Sequence, residues 1–452
     1  MTLSAALIVR DEEDCLGACL ASLKGVVDEI VVVDTGSQDR TVAIAAEFTD
    51  RIYHFVWIDD FAAARNCSLD HASGDYILVI DADERITNPA EARGRLTDFA
   101  ERHEDHVVGT VKIASCAGPG PEANVSVLAA QRFFRAGCFR FAGAIHEQLV
   151  PVSANAIPGG QHAAPTGVCY THSGYAHDPA SPRHKSHRNK RILEQELAKH
   201  PNDEYYLYQL GKAHFGLNEH GAACRAFERA LAAIRFEPGK PPLGKTGPVA
   251  GGVLTDLIVS LAYAYVNSDH VDKARTLLDT HQALGHAGVH CADFHHVNGY
   301  VFLMQGDIAR SKEAYVASLR LGPETEQVLG TGSYASLYHL GLLSEAGQDL
   351  PTALTSYAQA LAGKPDYAPA VARCIDLIVE RRIALQPEVW AVCDHEALLA
   401  ALMARVGSLL EEGKTDQAAL VVAGTRGTAP ELYGRCVALL KGSVQEGSDD
   451  DS

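Results

Sequence analysis

Asp81, Asp83 and Glu84 follow directly on the apolar run Tyr76-Ile77-Leu78-Val79-Ile80, itself opened by the turn Gly74-Asp75. Carboxylates placed so close to a buried strand cannot be core residues unless something pairs them. An Asp-x-Asp pair on a chain leaving a strand suits a hard divalent cation that also holds substrate phosphates. The same tripeptide is common in solvated turns, so its surroundings must decide. Two upstream runs end in the same way. Ser4 to Val9 gives way to Arg10-Asp11-Glu12-Glu13, and Glu29 to Val33 gives way to Asp34-Thr35-Gly36-Ser37. Other groups capable of chemistry are Arg65 in Ala64-Arg65-Asn66, His146 and Glu147 in Gly143-Ala144-Ile145-His146-Glu147-Gln148-Leu149, and His172 in Tyr170-Thr171-His172-Ser173-Gly174-Tyr175.

The elements needed to position these groups can be read from spacing. Strands are expected at Ser4 to Val9, Asp28 to Val33, Arg51 to Phe55 and Tyr76 to Ile80. Helices are expected at Cys15 to Leu23, about Arg40 to Phe48, and Phe61 to His71. Alternating β and α segments with short links specify a parallel sheet flanked by helices. Ligands of such sheets bind outside the carboxyl ends of the strands, where the charged groups cluster. Neither a Gly-x-Gly-x-x-Gly nor a Gly-Lys-Ser/Thr loop is present, which excludes the dinucleotide and P-loop signatures. His106 to Ser115 and Val125 to Phe134 read as strands of a mixed sheet. Cys116 to Ala123 and His162 to Pro165 read as loops.

Together, Leu7-Ile8-Val9-Arg10-Asp11-Glu12-Glu13, Val31-Val32-Val33-Asp34-Thr35-Gly36-Ser37, Ala64-Arg65-Asn66 and the Gly74 to Glu84 stretch resemble a family-2 glycosyltransferase of GT-A fold. The Gly143 to Leu149 and Tyr170 to Tyr175 motifs resemble those of the soluble branch that carries tetratricopeptide repeats. The resemblance covers roughly the first 180 residues. It implies a nucleoside-diphosphate sugar donor (UDP is expected), a divalent Mn2+ or Mg2+ ion, and inversion at the anomeric carbon. It further implies that Val9, Arg10 and Glu12 line the base and ribose, and that Asp34 bonds the uracil or ribose edge. Arg65 would lie near the diphosphate, Asp81 would contact ribose or sugar, and Asp83 would bind the metal. Inversion needs one base on the acceptor side, for which Glu147 is the candidate. His146 could orient donor or metal, and His172 is the candidate for a late metal ligand.

The remaining sequence concerns partners. Among 452 residues, 47% are hydrophobic and 21% charged, with a net charge of -18. This acidity argues against non-specific binding to nucleic acid or an anionic membrane. The 11 scattered cysteines suggest a reducing compartment; Cys15 and Cys19, one turn apart, read as packing. No signal peptide and no run of about 18 apolar residues is visible, so a cytoplasmic protein without membrane spans is expected. Leu207, Leu210, Gly211, Ala223, Phe227 and Ala230 fit the tetratricopeptide template. Gly299, Phe302, Tyr315 and Pro323 repeat it, as do Leu337, Leu340, Gly341, Ala353, Tyr357, Ala360 and Pro365, with a weaker copy around Leu261 to Ala274. The expected organisation is an α/β GT-A domain at 1–178, a linker and connecting helix at 179–201, and an all-α repeat solenoid at 202–370. A helical cap at 371–442 and a disordered acidic tail at 443–452 would follow. The repeats would hold a peptide or protein acceptor, or pair with a second copy of the chain. A surface-glycan precursor or small metabolite is the alternative acceptor, and a non-catalytic repeat adaptor the alternative function.

Overall fold

The computed structural model describes residues 1–117, 124–152, 162–172, 181–237, 242–244, 249, 251–285 and 287–380, together with 403, 405–410, 413–416, 418, 419, 422 and 437. The chain divides into two compact units, Met1–Ala222 and Ala223–Ser452.

The first unit is built on an eight-stranded mixed sheet. Strands β1 (Leu3–Val9), β2 (Glu29–Asp34), β3 (Ile52–His54) and β4 (Tyr76–Val79) form its parallel half, in the order β3-β2-β1-β4. Helices α1 (Leu16–Leu23), α2 (Thr41–Ala45) and α3 (Phe61–His71) connect them. β1, β2 and β4 form here because their apolar runs are largely buried on both faces, as inner parallel strands require. Leu3, Leu7, Val32, Val33 and Leu78 have no exposed surface. Where burial ends, the charged groups begin, so the carboxyl ends of β1, β2 and β4 open on one polar edge. Register places Val9 opposite Asp34.

Past β4 the chain makes elements that the motif reading leaves unassigned: β5 (Glu84–Ile86) and α4 (Pro89–Arg102). The start of α4 obeys a general rule, with Asn88 at the N-cap and Pro89 at the first helical position. Strands β6 (Val107–Ala117) and β7 (Asn124–Arg135) then pair antiparallel, and β7 joins β4. Most of the stretch expected as a Gly-Pro-rich loop, 118–123, lies outside the described residues. β8 (Phe139–Ala142) and β9 (Gln148–Pro151) make a separate small hairpin.

The loop expected at His162 to Pro165 is instead the start of β10 (His162–His172), which runs between β6 and β5. Proline misleads there. Its missing N–H is tolerated because the β6–β10 register breaks between Pro165 and Cys169. Gly167 takes φ +78° within that break. The long helix α5 (Ser181–Lys199) and then α6 (Glu204–Gly216) complete this unit's described elements, apart from the start of the next helix.

The next helix, α7 (His220–Ala233), leads into the second unit. There the chain is helical: α8 (Gly251–Val266), α9 (Val271–Leu284), α10 (Ala292–Met304), α11 (Ile308–Leu321), α12 (Tyr334–Ala346), α13 (Leu350–Gly363) and α14 (Ala368–Glu380). The repeat template has a physical basis in the pairs α10–α11 and α12–α13. A Cβ on Gly299 would come within 2.9 Å of the Tyr315 ring, and one on Gly341 would strike the Tyr357 ring. Both tyrosines are fully buried. Most of the expected cap beyond 380, and all of the acidic tail, lie outside the described residues.

The second unit also buries imidazoles. His296 shares a 2.8 Å hydrogen bond with Ser336, and its ring meets those of Tyr315 and His339. His339 stacks on Tyr315 at 5.0 Å. Burial pushes His296 down to about 3, helped by the charge of His339, and burial alone pushes His339 down to about 4. In the unfolded chain both regain about 6.5. Below that pH the unfolded chain takes up protons that the fold refuses. Stability of this unit should therefore be level above pH 6.5 and fall toward pH 4, by up to about 1.4 kcal/mol per pH unit for each histidine. Thermal melts of the wild type and His339→Gln between pH 4 and 7.5 check this. The variant should lose part of the slope, and an unchanged slope would assign the acid sensitivity elsewhere.

Candidate active site

The polar edge is organised by two buried guanidiniums. Arg65 lies on the second turn of α3, a helix capped by Asp60, whose carboxylate accepts from the Ala63 N–H at 2.8 Å. Only 8% exposed, Arg65 donates from Nη2 to Asp81 Oδ1 at 2.9 Å and from Nε to Glu147 Oε1 at 2.5 Å. Two expected site residues far apart in sequence, one at the end of β4 and one between β8 and β9, thus share one cation. Arg132 of β7 donates through Nη2 to Asp81 Oδ2 at 2.7 Å and to Glu84 Oε1 at 3.0 Å. Arg65 Nη1 and Arg132 Nε are buried without a protein partner. Such donors are costly to leave unmet and suit an oxygen-rich ligand.

Electrostatics follow from this packing. Burial alone would raise the Asp81 carboxyl, but Arg132 and Arg65 more than offset it and hold it below the usual carboxylate range. Glu84 is only 2% exposed, and there burial outweighs Arg132, with Asp81 adding repulsion, so its pKa is raised. Arg132 was not anticipated from sequence. The signal available is a lone charge in the apolar strand Leu128-Ala129-Ala130-Gln131-Arg132-Phe133-Phe134, which a buried strand accepts only if paired.

Asp83 approaches His172, with Nε2 3.0 Å from Oδ2. The antiparallel register of β10 on β5 sets His172 opposite Glu84 and so beside Asp83. That hydrogen bond raises the imidazole pKa against the opposing effect of burial. A carboxylate and an imidazole suit Mn2+, and the carboxylate also suits Mg2+. Among the described residues no group of three or more His, Cys, Asp or Glu side chains could hold a metal ion. Asp83 and His172 thus bring two such donors together.

The remaining expected residues surround this centre. Val9 uses its carbonyl on Thr35, accepting from N–H and hydroxyl at 3.0 Å each. Arg10 is exposed, with Asp11 as a loose partner at 3.8 Å. Glu12 accepts a hydrogen bond from Cys15 Sγ at 3.1 Å, so that thiol does more than pack. Burial raises the Glu12 pKa, and the charge of Asp83 adds to it. Asp34 is nearly buried and spends its oxygens on the N–H groups of Gly36 and Ser37 and on His54 Nδ1 at 3.3 Å. It shapes the turn after β2 and is not joined to the Arg65 network. His146 adopts φ +53°, an uncommon conformation for a side chain of its size. Its ring lies edge-on to Tyr205 of α6, 6.5 Å away, and burial lowers its pKa. A Cβ on Gly143 would come within 3.1 Å of the Tyr206 hydroxyl, so α6 seats the Glu147 loop closely.

Residues 4–136 match the family model described as glycosyl transferase family 2. A TPR repeat-containing protein of Synechococcus elongatus is 38% identical over 240 residues, 52% of this chain and 58% of that one. The SPbeta prophage-derived glycosyltransferase SunS of Bacillus subtilis is 29% identical over 220 residues, 47% of this chain and 49% of that one. The lipopolysaccharide core biosynthesis glycosyltransferase LpsC of Rhizobium meliloti is 36% identical over 91 residues, 19% of this chain and 33% of that one. The chain thus spans 58% and 49% of the first two relatives' lengths.

Proposed function

Since the chain opens with a glycosyl transferase family 2 domain of GT-A type, followed by a helical, tetratricopeptide-like region, we propose that it is an inverting glycosyltransferase. It would move a sugar from a nucleoside-diphosphate sugar, expected to be a UDP sugar, to a peptide or protein side chain. The observation that carries this reading is the Arg65 bridge from Asp81 at the end of β4 to Glu147 between β8 and β9. It ties a donor-side acid to an acceptor-side acid across one buried cation.

In this mechanism Val9, Arg10, Glu12 and Asp34 surround the nucleoside, and Asp81 faces ribose or sugar. Asp83 and His172 would hold a divalent ion, which when bound stabilises negative charge on the diphosphate. Arg65 does so from the protein, in a buried setting where its charge is weakly screened. Glu147 takes the acceptor proton, and His146 orients the donor on the same loop. The repeats, proposed over 202–370, select the acceptor, through which a second copy of the chain could also associate. No described helix is long and apolar enough to cross a membrane, and we place the enzyme in the cytoplasm. LpsC motivates a second reading, with a surface-glycan precursor as acceptor.

A donor panel with Mg2+ or Mn2+ tests the proposal. Nucleoside diphosphate should be released slowly by hydrolysis and faster when an acceptor peptide is added. Substituting exposed residues of the repeats should remove the peptide's acceleration and leave hydrolysis unchanged. Release of no nucleotide from any donor would favour the adaptor reading.

A further inference from the structure

The turn that carries Glu147 is held from two sides. Its backbone is unusual, with Gly143 at φ +96° and His146 at φ +53°. The second value costs a residue with a side chain free energy, so the surroundings must impose it. Ala144 and Ile145, between them, are buried. On one side is α3. The Phe61 N–H donates to the Ala144 carbonyl at 2.8 Å, and Arg65, one turn on, holds the carboxylate of Glu147.

On the other side is α6. Asp203 caps it, accepting from the Tyr206 N–H at 2.9 Å, which fixes how its first turn presents Tyr205 and Tyr206. A Cβ built on Gly143 would lie 3.1 Å from the Tyr206 hydroxyl and 3.8 Å from the Glu147 Cα. The hydroxyl and the Glu147 backbone thus border the same small space over Gly143. The Tyr205 ring meets the His146 ring edge-on, 6.5 Å away. Helix α5 packs on α6 and is fastened to the start of α3. Arg191 bonds Asp59 at 2.7 and 2.6 Å, and the Arg188 guanidinium lies 4.9 Å from the centre of the Phe61 ring. These two arginines are three apart and share a face. The repeat template begins within α6, at Leu207, yet α6 falls in the same compact unit as the sheet.

We propose that Tyr205 and Tyr206 are positioning residues for Glu147, so that the first helix of the repeat region serves the base rather than the acceptor. The proposal rests on the glycosyl-transfer reading, with Glu147 as base. Tyr206 fixes the backbone of the turn at Gly143. Tyr205 backs His146, the neighbour of Glu147. A base works only within hydrogen-bond reach of the proton it takes, and a misplacement of about 1 Å can cost about 10²-fold in rate.

Two measurements on the full chain test this. The first is release of nucleoside diphosphate to water from a panel of UDP-, GDP- and dTDP-sugars in Mn2+. In that reaction a water oxygen bonds to the anomeric carbon and the bond to the β-phosphate oxygen breaks, its electron pair staying on that oxygen. The water proton passes to Glu147. Replacing both tyrosines, Tyr205→Ala with Tyr206→Ala, should lower kcat on the order of 10²-fold and leave the donor KM within about twofold. The same pair in Glu147→Gln should change the residual rate by less than about twofold, because nothing is left to position. Tyr205→Phe with Tyr206→Ala should recover part of the loss. The second measurement, hydrogen exchange, needs no substrate. Amides of 143–149 should exchange at least about tenfold faster in the variant lacking both tyrosines, while those of 76–79 stay protected. If that variant does not fold, Tyr206→Phe, which loses only the hydroxyl at Gly143, should show smaller changes in the same directions. Losses that multiply in Glu147→Gln, a raised KM at unchanged kcat, or unchanged exchange would overturn the proposal and leave the glycosyl-transfer reading intact. A wild type that releases nucleotide from no donor would overturn both.

Discussion

Glu147→Gln should bind nucleotide sugar and metal almost as the wild type does, yet transfer sugar about 10²- to 10⁴-fold more slowly, the range for loss of a positioned general base. The amide oxygen can still accept from Arg65 Nε, so the loop stays in place. What disappears is the proton acceptor and one negative charge beside a buried cation. The stability cost should be about 1 kcal/mol, the difference between a charge-assisted and a neutral hydrogen bond. Calorimetry with the donor and single-turnover transfer rates separate the two effects. Activity within a few-fold of wild type would make Glu147 a structural counter-ion for Arg65 and send the search for a base elsewhere.

Asp83→Asn should be the second large effect. The asparagine keeps the shape beside His172 but presents a neutral ligand, and transfer should fall on the order of 10²- to 10³-fold. Its side chain is partly exposed, at 19%, and sits at a strand end outside the apolar core. The melting temperature should therefore move by no more than about 2 to 4 °C, as for a change near 1 kcal/mol in a unit of this size. Excess Mn2+ should recover part of the activity by mass action. Full turnover of the variant in chelator would remove Asp83 from the metal-binding role.

These two residues show how far sequence reaches. β1, β2 and β4 were legible because continuous apolar runs stop abruptly at charge, a pattern set by burial on both faces. Phe61–His71 was legible to its ends, with Asp60 and its N-cap bond at one and His71 at the other. Asp81 and Asp83 were visible as acids without a core role. Their partners were not, since pairing is a tertiary property. Nothing in the order of residues says that Arg65 reaches Glu147 across 82 positions, or that Arg132 reaches Asp81 across 51. β10 was hidden in part because Pro165 reads as a breaker, and only the broken ladder with β6 shows why it is accepted. α5 was legible as the connecting helix within 179–201. The direction of its basic face was not, because that depends on the Arg191–Asp59 anchor.

The shared guanidinium of Arg65 has a thermodynamic consequence. One cation cannot move closer to Asp81 and Glu147 at once. A ligand that draws Arg65 toward the β4 side weakens its hold on Glu147. By linkage, a group that engages Glu147 must change affinity on the β4 side by the same factor. Donor and acceptor would then bind interdependently without any movement of the sheet, and the sign of their cooperativity would depend on which partner Arg65 follows.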